Sequence, residues 1–353
     1  MSPQGRSAPV EINFEALDAS DPELEESLEG PLAFGERTSP PPGTEVLVAY
    51  RGGRALARAS LDLVEGLRGA PGRSGLIGHF QVIEGEVVGD ETEGPPAGVA
   101  LLARACRHLA QAGAQRVLGP MNGSTWASYR VVTERAVGGG PEEPPFFMEP
   151  WNPPSYPEAF RRAGFAVRSE YVSAAVKDLT RVHPGRSRAL VAVTQLGIRI
   201  RPIEMDRFEE ELADIHRLSV KAFSANPLYS PLAWAPFRDM YARVRPLLDP
   251  SLVRMARDEA GRLAGFFFAL PDPAGPKVDD RPSRLILKTA AVVDDVRGSG
   301  LGTLLIDEPR RLALEKGYRV LIHALMHVDN PSARISRHSG DVFRRYALFE
   351  WVP

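Results

Sequence analysis

One cysteine, Cys106, stands among 353 residues. A disulfide framework and a cysteine-rich zinc site are therefore both excluded. Lysine is almost as scarce: Lys177, Lys221, Lys277, Lys288 and Lys316 are the only five among 43 basic residues. Net charge is also nearly absent, −2 against 45 acidic residues. That argues against a chain dominated by nucleic-acid binding, while leaving room for a local basic patch. Long hydrophobic runs are missing. The densest, Leu263 to Leu270, falls far short of the ~20 residues of a membrane helix, and residues 1–30 are acidic without the apolar stretch of a signal peptide. A cytoplasmic location is the resulting expectation.

What is present is the balance of a globular chain, 43% apolar and 25% charged, long enough to bury a core without staples. At roughly 100–200 residues per domain the length suggests two domains, or one large one. Residues 1–43 combine many carboxylates with the run Ser39-Pro40-Pro41-Pro42-Gly43 and read as a tail, draped or disordered, without chemistry. From Thr44 the pattern sharpens. A hairpin turns at Gly52-Gly53, a strand covers Leu76 to Ile83, and an amphipathic helix from about Gly98 to Ala112 carries Cys106 on its core stripe. A strand at Val117-Leu118 follows, then Asn152-Pro153-Pro154, a short helix ending at Gly164-Phe165, and two strands around 166–179.

The second half repeats this order. A strand at Ile198 to Ile200 leads to a helix through Phe208, Leu212, Ile215 and Ala222. A hairpin turns at Asp258-Glu259-Ala260-Gly261. An apolar strand from Leu285 to Val293 predicts burial on both faces. The loop Arg297 to Gly302 opens a helix from Leu301 to Lys316, which Pro309 should kink. A strand from Tyr318 to Val328 runs into Asn330-Pro331. The repetition argues for an internal duplication, with a linker seam near 181–196. The expected division is 1–43, 44–190 and 191–353.

The chemistry-bearing segment is Val292-Val293-Asp294-Asp295-Val296-Arg297-Gly298-Ser299-Gly300-Leu301-Gly302-Thr303. Glycines let the backbone wrap an anion closely, and the N–H groups and dipole of a helix start favour phosphate. The spacing is neither Gly-x-Gly-x-x-Gly nor a Gly-Lys-Ser/Thr P-loop. A turn without any ligand is the plain alternative, and nucleotide-phosphate binding is another.

Arg297-x-x-Gly300-x-Gly302, after an apolar strand and before an amphipathic helix, resembles the acyl-CoA signature of the GNAT acetyltransferase superfamily. The surrounding element order over about 197–353 resembles that fold too. Residues 44–180 are similar in element order and in the Asn152…Tyr156…Gly164-Phe165 ending. The resemblance implies an α/β chain of two tandem GNAT-like units, each a mixed, mostly antiparallel sheet flanked by helices. The first half's corresponding loop, Glu84 to Pro96, carries five carboxylates and no arginine, so like charges would repel a pyrophosphate there. We expect the first half to be a structural partner or a wall that shapes the substrate site.

The same resemblance implies direct transfer of an acetyl group from acetyl-CoA, or another acyl-CoA, to an unidentified small-molecule or peptide amine. No metal, nucleic acid or membrane is called for. A non-catalytic acyl-CoA-binding or scaffold protein is the rival reading. CoA would be held by Val292, Val293, Arg297, Gly298, Ser299, Gly300, Leu301, Gly302 and Thr303, with Asn330 and Ser332 on the pantetheine amides. A helix N-cap is the simpler role for that pair. Val293 is the candidate for the backbone N–H that steadies the developing oxyanion. The tyrosine common in the helix after the asparagine is missing from Asn330 to Gly340. Ser336, His338 and Tyr346 are candidates for the proton donor, with a packed aromatic as the alternative for Tyr346. His327 or Asp329 is a candidate base. His323 and His327 share strand parity, so one face is predicted for both, although no third ligand at a familiar spacing makes them a metal site. The aromatic loops at Asn122 to Trp126 and Phe146 to Trp151 are expected to pack between halves, or else to form an acceptor pocket.

Overall fold

The computed structural model describes residues 12–21, 39–83 and 95–353. Fifteen strands appear among them: β1 (Ile12–Asp18), β2 (Glu45–Arg51), β3 (Arg54–Leu67), β4 (Ala70–Val82), β5 (Arg116–Gly119), β6 (Val131–Glu134), β7 (Ala166–Val176), β8 (Arg199–Pro202), β9 (Val253–Arg257), β10 (Leu263–Pro271), β11 (Lys277–Val278), β12 (Arg281–Pro282), β13 (Arg284–Val292), β14 (Val320–His327) and β15 (Asp341–Trp351). The helices are α1 (Ala97–Gln111), α2 (Tyr156–Arg162), α3 (Arg186–Gln195), α4 (Phe208–Phe223), α5 (Trp234–Val244), α6 (Leu301–Glu315) and α7 (Pro331–Ser336).

The chain forms two units, but the division is not a single seam. Residues 1–133, 150–169 and 347–353 make the first, and residues 134–149 and 170–346 the second. The boundaries fall inside β7 and β15 because strand pairing, not chain order, decides membership.

In the first unit β1 to β4 form an antiparallel meander, β4 pairs in parallel with β5, and the end of β15 adds antiparallel to β5 with Phe349 opposite Gly119. The turn between β2 and β3 is closed by Gly52 and Gly53 at φ 59° and 81°, angles that a two-residue hairpin turn requires and glycine adopts at no steric cost. Helix α1 buries Leu101, Leu102, Ala105, Cys106 and Leu109 in the unit's core. Burial pushes the Cys106 thiol up to about 12, so it stays an inert hydrophobe. Two expectations change here. The supposed tail contributes β1, with Ile12 opposite Arg51, and the two strands read around 166–179 are the single strand β7. The acidic run 84–94 lies outside the described residues.

In the second unit the sheet order is β7-β14-β13-β10-β9-β8, antiparallel except for β13 and β14. On one face α6 packs Leu301, Leu304, Leu305 and Leu312 against Phe267, Leu285 and Leu287. On the other, α4 lies against β10 and β13, and the Tyr241 ring of α5 meets Phe268 edge-on at 5.4 Å. The segment read as a linker is helix α3. Its pattern is weak because only Ala189 and Val193 turn inward, while Leu190, Val191 and Leu196 stay exposed. Helix α6 spans Leu301–Glu315 as one element with Pro309 inside it.

Candidate functional site

Strands β13 and β14 pair only from Arg284↔Val320 to Leu287↔His323. Beyond that level both strands are irregular. On β13, Phe268 faces Thr289 and Ala269 faces Leu287, which leaves Lys288 as an extra residue. On β14, His323 faces Ala174 and Met326 faces Val172, which inserts one residue, and Leu325 takes φ 55°. Each extra residue is a bulge that bends its strand and leaves the ladder locally unpaired. Two bulges at one level end the pairing of the two strands. The burial predicted for both faces of β13 is therefore interrupted after Leu287: Lys288 to Ala290 are half-buried, and Ala291 is buried again. The bulge in β14 also reverses strand parity, so His323 and His327 do not share a face. His323 is buried with Nδ1 2.6 Å from Ser336 Oγ, while the His327 ring meets Tyr171 edge-on at 5.2 Å. Among the described residues no group of His, Cys, Asp and Glu is placed to hold a metal ion.

The glycine loop lies at the far end of β13. Gly298 and Gly300 have φ 83° and 94°. A Cβ on Gly298 would meet nothing within 4 Å, and one on Gly302 would meet only Ile335 and Val292, at 3.9 and 4.0 Å. The backbone there is open for an anion to approach. A Cβ on Gly300 would instead lie 2.7 Å from Ala189 Cβ, so packing of α3 also demands that glycine. The N–H of Leu301 donates to Ser299 Oγ at 3.3 Å, while Gly302 and Thr303 sit in the first helical turn, where N–H groups have no intrahelical acceptor. Arg297 is 60% exposed and pairs with Asp294 at 2.9 Å. These features suit a pyrophosphate. Val293, by contrast, donates its N–H to the Ala264 carbonyl at 2.9 Å, so the oxyanion role expected of it does not hold. Asn330 occupies the N-cap of α7 without a side-chain cap bond, and Ser332 is half-buried in its first turn.

Tyr346 is not a merely packed aromatic. Its hydroxyl donates to Glu149 Oε1 and lies 3.0 Å from Ser173 Oγ. With the phenolic proton given to Glu149, Ser173 donates to Tyr346, and Ser173 accepts the Leu325 N–H at 3.0 Å. Arg344 pairs with Glu149 Oε2 at 2.6 Å, both side chains fully buried, and the Phe146 N–H donates to the same oxygen at 3.0 Å. Burial pushes the Glu149 carboxyl up despite Arg344. Burial and the adjacent Glu149 hold the Tyr346 phenol well above its ordinary value. The network thus runs from a buried ion pair to the bulge of β14. Glu149 and Ser173 were missed at the sequence level. Ser173 gave no signal, but Glu149 is the one carboxylate in an aromatic run. Of the five proton-transfer candidates, Ser336 and Tyr346 are buried, the His327 side chain is 13% exposed and that of Asp329 88%, and His338 is exposed with its ring edge-on to His183 at 5.0 Å.

Lys288, the bulge residue of β13, is half-buried and its Nζ lies 3.2 Å from Met148 Sδ. Burial lowers its ammonium to about 8. Met148 itself is 51% exposed at φ 64°.

No family model and no curated protein matches the chain. Solved structures do. One is the GCN5-related glucosamine N-acetyltransferase region of a fungal multi-domain GH3 β-N-acetylglucosaminidase, with TM-score 0.55, 13% identity and coverage of 98% of this chain. This chain spans only 38% of that one. Another is a tandem GNAT protein from the clavulanic acid biosynthesis pathway, solved without acetyl-CoA, with TM-score 0.51, 17% identity, and 97% and 98% of the two chains covered. The likeness is one of fold: this chain has the GNAT fold, as a tandem of two units. Among the described residues no helix is long and apolar enough to cross a membrane.

Proposed function

We propose that the chain is an acyl-CoA-dependent N-acyltransferase that moves an acetyl group from acetyl-CoA to an amine, using a cleft of the second unit where β13 and β14 stop pairing. The observation that carries this reading is the pair of bulges that end the pairing of β13 with β14, with the open glycine loop at the other end of the same strand. The lengths agree. From Lys288 to Val293 the strand advances about 17 Å at ~3.3 Å per residue. The pantetheine arm has about thirteen bonds from phosphorus to sulfur, and at ~1.2 Å advance per bond in an extended chain it spans about 16 Å. A pyrophosphate on Arg297 and the Gly298–Thr303 backbone would bring the thioester to the bulge, with Asn330 and Ser332 beside the arm.

There the amine nitrogen attacks the carbonyl carbon, the C–S bond breaks, and the thiolate leaves with a proton. The bulge frees backbone at Lys288 from the ladder, so oxyanion stabilisation moves to this level from Val293. His327 is the proton carrier we favour, half-buried on β14 just beyond the bulge, with Asp329 Oδ2 3.9 Å from its Nδ1. Tyr346 is a positioning residue that holds Ser173, and through it the bulge at Leu325. The test is thiol release from acetyl-CoA with a panel of amines. Turnover that Arg297→Glu abolishes supports the enzyme. Binding of CoA with no turnover on any amine supports the non-catalytic reading, and a thermal shift with ATP but none with CoA would sink both.

A further inference from the structure

We infer that Lys288 is itself an acyl acceptor, a lysine that the bound acyl-CoA modifies in cis. The inference rests on the reading of the cleft given above. Lys288 is the extra residue of the β13 bulge, at the level where the strands part and where the length of the pantetheine arm brings the thioester. It differs from the other lysines. Lys177 and Lys316 are paired with Glu143 at 3.1 Å and Asp249 at 2.8 Å, and Lys221 and Lys277 are exposed. Lys288 is half-buried, and among the described residues no carboxylate lies within ion-pair distance of it. Its neighbour is a thioether, which neither neutralises nor stabilises an ammonium strongly. Such a site favours the neutral amine, the form that attacks a carbonyl, in line with the lowered Lys288 ammonium.

The step balances without another reactant. The Nζ lone pair attacks the thioester carbonyl carbon, a C–N bond forms, the C–S bond breaks, and the ammonium proton passes to the departing thiolate. The product is an amide, which carries no charge and no nucleophile. Acylation would therefore remove the amine and place an acyl group at the mouth of the cleft, limiting turnover when no external amine competes.

Trypsin reads the event directly. Unmodified chain yields Leu285–Lys288 and Thr289–Arg297, whereas acetylated Lys288 resists cleavage and yields Leu285–Arg297 heavier by one acetyl group. The full chain is incubated with acetyl-CoA alone, and CoA binding is measured calorimetrically in parallel. The expected result is acetylation of Lys288 about tenfold or more faster than of Lys221 and Lys277, through proximity, and suppressed by excess CoA. Lys288→Arg should abolish this label, and the wild-type peptides decide the matter if that variant does not fold. CoA binding with Lys288 labelled no faster than the exposed lysines overturns this inference and leaves the proposed function standing. No CoA binding and no preferential label overturns both.

Discussion

Tyr346 and Glu149, separated by 197 positions in sequence, share a hydrogen bond in the core of the second unit. Glu149 comes from the segment that leaves the first unit's chain, and Tyr346 is the last residue of the second unit. The contact is what converts a strand aromatic into part of a polar chain ending at the bulge of β14.

Arg344→Met leaves the Glu149 carboxylate buried without its partner. Loss of one member of a buried ion pair costs about 3–5 kcal/mol. Urea unfolding of the variant should show it, and a loss below about 1 kcal/mol would mean that the pair is not a structural anchor.

Tyr346→Phe removes one hydroxyl and leaves two buried groups short of a partner, at a cost of about 1–3 kcal/mol. As a positioning residue it should lower kcat while leaving the KM for acetyl-CoA near the wild-type value. An unchanged kcat at full folding would assign it to stability alone.

Gly302 and Gly300 should respond in opposite ways to alanine. At Gly302, inside α6 and with room for a Cβ, helix propensity predicts a gain of up to about 1 kcal/mol, while the added methyl obstructs the anion. The variant should melt higher and bind CoA more weakly. At Gly300 the left-handed backbone and the close approach of Ala189 predict a loss of more than about 1 kcal/mol. Equal CoA affinity in wild type and Gly302→Ala would remove the loop from the binding site.

His323 predicts a loss of stability in acid. Burial lowers its imidazolium to about 4 from the ordinary 6.5. Between those values the unfolded chain binds more protons than the folded one, so stability is complete above about pH 6.5 and is lost as pH falls toward 4. At 1.36 kcal/mol per pKa unit the span is on the order of 3 kcal/mol. His323→Gln should flatten the stability profile in that window, and an unaltered slope would refute the assignment.

Much of this architecture was legible in the residues. The Gly52-Gly53 turn, the core stripe of α1, the hairpin β9–β10 and the order strand, glycine loop, helix around Arg297 all follow from local pattern and stand in the structure. What escaped was whatever depends on a partner far away in sequence. Helix α3 carries too few inward apolar residues to announce itself. Strand β1 is half-exposed and needs β2 to form. The parity argument for His323 and His327 assumed a regular strand, and a single inserted residue overturned it. Val293 has the right place at the end of β13, but its N–H had already been taken by Ala264.

The return of residues 347–353 to β5 has a consequence for biosynthesis. Phe349 stacks on Phe160 at 5.4 Å and lies opposite Gly119. A ribosome makes this unit's meander well before its last strand, with about 260 residues added between Val82 and residue 347. Between those moments β5 has an uncovered edge and Phe160 lacks its stacking partner. Vectorial folding of this chain must therefore keep the first unit waiting for its closing strand until residues 347–353 have been made.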